Sequence, residues 1–112
     1  MTDRLRIALA QLNPLVGALT HNLGQARKAL KDAVAAKADI LMFSELFLTG
    51  YFPEDLLFKA RFIDDAMDAA RALVADAKDT GISLLLPTVW REDNGTLRNA
   101  VLLAERGEIL AT

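Results

Sequence analysis

Cysteine is absent from all 112 residues, so neither a disulfide framework nor a thiolate-held metal arises within this chain. Histidine occurs once, at His21, which removes any His/Cys metal set. An excess of positive charge is also missing. The formal net charge is -2, Lys and Arg are scattered, and no basic stripe interleaves with aromatics, which argues against a dedicated nucleic-acid binder. No apolar run approaches the roughly 20 residues that cross a bilayer. The apolar stretch after Arg4 and Arg6 is broken by Gln11, Asn13 and Pro14, and no small-residue cleavage site follows. It does not read as a signal peptide, so a cytoplasmic location is expected. Phosphate-loop and nucleophile-elbow patterns are lacking, as are repeats, low-complexity tracts and linkers. Residues 1–112 therefore read as one domain or part of one.

What is present is a globular composition, 53% apolar with 25% charged, far from the low-hydropathy, high-charge balance of disordered chains. Leu5 to Leu12 alternates Leu5, Ile7 and Leu9 against Ala8 and Ala10, and apolar residues on both faces suggest a central strand closed by Asn13-Pro14. From Thr20 to Lys37 the period lengthens. Leu23, Ala26, Leu30, Ala33 and Val34 share one face of a helix, with Thr20 or Asn22 as N-cap, Gln25 at capping-box spacing from Asn22, and Lys37 in the last turn. Ile40 to Phe43 is a wholly apolar second strand. A second helix spans Ala60 to Asp79, with Gly81 expected to end it, and Ile82 to Leu86 forms a third strand. Asn94-Gly95 signals a hairpin into Leu97 to Ala104, and Ile109 to Thr112 begins a fifth strand.

Strand, helix, strand, helix, strand and hairpin predict an α/β fold. Strands one to three run parallel through right-handed crossovers, and strands four and five alternate. Helices connected this way cover one sheet face. Strands two and three are apolar on both faces, so the other face requires more chain or a partner.

The stretch Ser44-Glu45-Leu46-Phe47-Leu48-Thr49-Gly50-Tyr51-Phe52-Pro53 follows the second strand, and ligands in open α/β sheets bind beyond the carboxyl ends of parallel strands. Glu45 at that place is a candidate for acid–base chemistry. A strand-end carboxylate more often caps a helix or pairs with an arginine, here Arg4, Arg6 or Arg91, so by position alone Glu45 is a weak signal. Tyr51 and Trp90 taken alone read as core or rim aromatics with a polar end rather than as ligand contacts. Glu54 and Asp55 suit the positive end of a short helical turn better than a metal. His21 reads as a solvated residue at a helix start rather than a base.

Together, Ile7-Ala8-Leu9-Ala10-Gln11-Leu12-Asn13-Pro14, Val16-Gly17, Asn22 and Ala38-Asp39-Ile40-Leu41-Met42-Phe43-Ser44-Glu45-Leu46 resemble the opening of a nitrilase-superfamily (carbon-nitrogen hydrolase) domain. The continuation through Gly50-Tyr51-Phe52-Pro53-Glu54-Asp55-Leu56 is similar to the N-terminal glutaminase domains of glutamine-dependent NAD+ synthetases. The resemblance covers essentially the whole chain but less than half of that domain. It implies an αββα sandwich and a Glu-Lys-Cys triad in which Glu45 is the general base. The family lysine, which stabilises the oxyanion, and the cysteine nucleophile lie beyond Thr112. Tyr51 matches a tyrosine near the family pocket.

The implied chemistry is hydrolysis of glutamine, the ammonia then converting deamido-NAD+ to NAD+ in a synthetase domain that uses ATP and Mg2+. These 112 residues alone are expected to be inactive, and the full enzyme to be a homo-oligomer. Ser44, where the family has proline, departs from the pattern, as do Phe52 in place of proline, the surroundings of Pro87, and Arg98 in place of tyrosine. Another amidase of the superfamily, an ω-amidase or carbamoyl-amine hydrolase, is the alternative enzyme. A non-catalytic α/β module that binds a partner along its bare sheet face is the alternative of another class.

Overall fold

The computed structural model describes residues 4–112. Five strands form one sheet in the order β1-β2-β3-β4-β5. They are β1 (Ile7–Ala10), β2 (Ile40–Phe43), β3 (Ser83–Arg91), β4 (Leu97–Glu105) and β5 (Glu108–Ala111), with helices α1 (Leu19–Ala35) and α2 (Ala60–Asp76) between the first three. β1, β2 and β3 pair in parallel, whereas β4 and β5 are antiparallel, the mixed sheet that the element order predicts. The Asn94-Gly95 hairpin forms with Gly95 at φ +87°, and the Glu92 N–H donates to the Thr96 carbonyl at 2.9 Å.

Both helices pack on one face of the sheet. Ala26, Leu30 and Ala33 of α1 and Ala70, Leu73 and Val74 of α2 meet Leu41, Phe43, Leu84, Leu86 and Leu102, all buried. Small residues on the helices let their backbones approach the sheet closely, and larger strand residues fill the space between. Among the described residues no element covers the opposite face. Ile7 and Leu9 on β1 and Val101 on β4 lie on it, 47%, 63% and 50% exposed. In-register pairing sets Ile7 beside Ile40, Leu9 beside Met42 and Met42 beside Leu85, so the apolar surface is continuous across strands.

Several expectations need correction. Among the described residues β1 lies at the edge of the sheet rather than inside it, and it is only four residues long. Ala8 and Ala10 face α1, while Ile7 and Leu9 face away. Its apolar character on two sides reflects one helix-covered face and one bare face, not strand neighbours on both edges. Helix α1 begins one residue before Thr20, with Ala18 at its cap and no side chain capping it. Thr20 and Asn22 therefore do not cap, and the Asn22/Gln25 capping box does not form. Lys37 lies past the helix end in a left-handed conformation at φ +56°. Helix α2 stops at Asp76, five residues before Gly81, and Thr80 turns the chain there by donating its hydroxyl to the Ala77 carbonyl at 2.7 Å. β3 continues through Pro87 to Arg91. Pro87 lies beyond the last β2 partner, Leu85, where the strand is bonded on one side only and a missing N–H is tolerated.

Candidate active site

The site is built where β2 ends. Phe43 is the last strand residue and is buried, with its ring 5.4 Å from that of Phe47. Ser44 and Glu45 then emerge to solvent. Leu46 takes a left-handed backbone at φ +52°, an uncommon conformation for a bulky residue. The reversal drives Leu46 inward against Ile63, Met67 and Val89, and leaves the Glu45 side chain outside. Burial of Leu46 holds that turn in place, so a hydrophobic anchor one residue away orients the carboxylate.

The rest of the turn is equally fixed. Phe47, Leu48 and Thr49 are fully buried, which explains why this loop is so apolar. Thr49 donates its hydroxyl to the carbonyl of Leu46 at 3.1 Å, and the Gly50 N–H donates to the carbonyl of Phe47 at 3.2 Å. A second loop, residues 11–18, lies against it, with the Gly17 N–H donating to the Thr49 carbonyl at 2.8 Å.

Between the two loops is an open depression of about 420 Å3 lined by Asn13, Pro14, Ser44, Glu45 and Tyr51. The two residues singled out from sequence, Glu45 and Tyr51, thus border the same concavity. Glu45 makes no ion pair or side-chain hydrogen bond among the described residues. Two of the three arginines that offered a structural explanation for it, Arg91 and Arg6, are engaged elsewhere. Arg91 pairs with Asp64 at 2.5 Å, and Arg6 donates to the Ala36 carbonyl at 2.9 Å. The Glu45 carboxylate is thus accessible and without a side-chain partner among the described residues, on a turn held by its buried neighbours.

The other candidates lie apart. His21 is exposed at the start of α1. Trp90 packs against the core with the Arg71 guanidinium 5.1 Å above its ring. Glu54 and Asp55 occupy the first turn of a short 3-10 helix, Glu54–Phe58, as helix-end charge requires. Among the described residues, no three His, Cys, Asp or Glu side chains gather as a metal site. No helix is long and apolar enough to cross a membrane. Arg98 pairs with Glu92 at 3.3 Å and borders a separate hollow of about 140 Å3 with Leu46, Val89 and Asn99, away from the Glu45 depression. Phe52 is exposed beside Tyr51, their ring centroids 5.4 Å apart.

Sequence reasoning missed Asn22 and the Asn13-Pro14 wall. Asn22 is fully buried and donates to the carbonyls of Leu15 and Leu48, so it braces both loops. An asparagine spaced as a helix cap conceals that role. An amide in the second turn of an otherwise apolar helix face is the signal that could have revealed it.

The carbon-nitrogen hydrolase family model matches residues 6–112. The chain is 43% identical over 111 residues to a glutamine-dependent NAD(+) synthetase of Rhodobacter capsulatus, an alignment that covers 99% of this chain and 20% of the relative. Among solved structures it is similar to the glutamine-dependent NAD+ synthetase of Acinetobacter baumannii, with a TM-score of 0.86 at 28% identity over 96% of this chain and 20% of that one. It is also similar to an amidase from Nesterenkonia sp., with a TM-score of 0.84 at 30% identity over 96% of this chain and 41% of that one. The chain thus spans about a fifth of the length of the synthetases it matches.

Proposed function

Because this chain belongs to the carbon-nitrogen hydrolase family, we propose that it supplies the general-base side of a glutamine amidohydrolase site, with Glu45 as the base, within a glutamine-dependent NAD+ synthetase. The 43% identity to the Rhodobacter capsulatus synthetase, running through the Glu45 turn, carries this reading. The position of Glu45, unpaired on a rigid turn at the rim of an open depression, supports it.

The chemistry needs a thiol that these 112 residues do not contain. Glu45 takes the proton of that thiol as its sulfur attacks the carboxamide carbon of glutamine. It returns the proton to the departing nitrogen as the C–N bond breaks, which releases ammonia and leaves a thioester. Water, deprotonated by the same carboxylate, then attacks the thioester. Glutamate and the free thiol are regenerated. A lysine outside these residues stabilises the oxyanion, and Tyr51 borders the substrate. ATP and Mg2+ act in the synthetase region, where the ammonia converts deamido-NAD+ to NAD+. The enzyme is cytoplasmic and homo-oligomeric in this reading.

The likeness to the Nesterenkonia amidase favours one second reading, an amidase of the same family acting on another amide. One experiment separates the two. Ammonia release from glutamine and from simple aliphatic amides is measured in the protein that carries this chain together with its nucleophile, with and without deamido-NAD+ and ATP. Glutamine-dependent NAD+ formation is expected. Hydrolysis of aliphatic amides without NAD+ formation would replace the synthetase reading with the amidase one.

A further inference from the structure

Asn22 is fully buried, yet its side chain has no role in the helix that carries it. Its Oδ1 accepts from the backbone N–H of Leu15 at 2.9 Å, and its Nδ2 donates to the carbonyls of Leu15 at 2.8 Å and Leu48 at 2.9 Å. A carboxamide is the neutral side-chain group with one acceptor and two donors in a single plane, and here all three are used. Leu15 follows Asn13 and Pro14, which form one wall of the Glu45 depression, and Leu48 lies within the turn that sets Glu45 on the other. The Gly17-to-Thr49 hydrogen bond runs alongside the same bridge.

We propose that Asn22 is the positioning residue of the Glu45 site, its amide fixing the separation between the loop that bears Asn13-Pro14 and the turn that bears Glu45. The inference rests on Glu45 being the base. Asn22 touches neither substrate nor reacting atoms. It acts by holding two loops in one register, so that the carboxylate keeps a single orientation toward whatever occupies the depression.

The test is nuclear magnetic resonance, with selective labelling of asparagine, glutamate, leucine and glycine, and hydrogen exchange, on the protein that carries this chain together with its nucleophile. In the unmodified chain both Asn22 Nδ2 protons are expected to exchange slowly, and a coupling across the hydrogen bond should link Nδ2 to the Leu48 carbonyl carbon. Absence of both overturns the proposal without any variant. In Asn22→Ala, exchange at the Leu15 and Gly17 amides should quicken at least about tenfold, as expected for local opening. The Glu45 carboxyl-carbon resonance should shift or broaden, while amides of the β3–β4 ladder keep their protection. In Asn22→Leu, which keeps the side chain's bulk but has neither acceptor nor donors, exchange at Leu15 and Gly17 should quicken in the same way, which separates the loss of the bridge from the loss of volume. An unchanged Glu45 resonance in both variants overturns the positioning role, since a bridge that only stabilises the fold would leave the carboxylate alone. Failure of the base reading is distinguishable from these outcomes. It appears as Glu45→Gln retaining full amide hydrolysis, whatever the exchange at Leu15 and Gly17.

Discussion

Gly50 and Val16 meet backbone to backbone: a Cβ placed on Gly50 would lie 2.6 Å from the Val16 Cα and 2.8 Å from its nitrogen. Gly50 also sits at φ +80°, which side-chain-bearing residues rarely adopt. The absence of a side chain is what lets the two loops bordering Glu45 lie against each other. Gly50→Ala therefore has to move backbone rather than a flexible side-chain end. It is expected to destabilise the chain by about 2–3 kcal/mol, lowering Tm by roughly 10 °C for a domain of this size. Calorimetry checks this, and a Tm within about 2 °C of the unmodified chain would show that the contact relaxes freely.

Glu45→Gln separates chemistry from structure. The side chain is exposed and makes no ion pair among the described residues, so stability should change by less than about 0.5 kcal/mol. Amide hydrolysis by the nucleophile-bearing protein should fall by about 10^2-fold or more, the usual contribution of a positioned general base. Denaturant titration and ammonia release read the two effects separately. A stability loss equal to that of a core substitution would make Glu45 structural.

Leu84 pairs with Ala104 and Leu102 with Leu86 in the β3–β4 ladder, and Leu84 and Leu102 are fully buried beneath the helices. Leu84→Ala should cost about 2–5 kcal/mol, because the packed surroundings collapse only partly into the space left. Val101→Ala, one residue along β4 from Leu102 and half-exposed on the other face, should cost less than about 1 kcal/mol in the same chain. Equal losses at the two positions, measured by urea unfolding, would contradict a single helix-covered core.

The elements were legible because each carries a periodicity or a turn signal of its own. The apolar run Ile40 to Phe43, the three-to-four spacing through Leu30 and Ala33, and Asn94-Gly95 all formed what they predicted. Placement within the sheet was less legible. Ala8 and Ala10 alternate with Ile7 and Leu9 in the same way whether a strand is central or at an edge, since alternation records covered faces and not hydrogen-bonded neighbours. Glu45 stood out because strand ends collect ligands. Asn22 did not, because its partners Leu15 and Leu48 meet it through backbone groups that are the same in every residue.

The bare face of the sheet yields the last prediction. Ile7, Leu9 and Val101 are about half-exposed or more, and Ile40, Met42 and Leu85 join them across the paired strands. Apolar patches beyond a few hundred Å2 rarely stay exposed to water, and β1 adds an unpaired edge to which another strand can bond. The 112-residue chain alone should therefore self-associate at micromolar concentration and bind a hydrophobic dye. Placing charge on both the face and the edge, in the double variant Leu9→Lys/Val101→Lys, should shift sedimentation toward the 12.2 kDa monomer and weaken dye fluorescence several-fold. Helix content should stay the same, because neither residue faces α1 or α2. If the unmodified chain already sediments as a monomer without binding dye, the face does not drive association. If the double variant associates as strongly as its parent, association proceeds through some other surface.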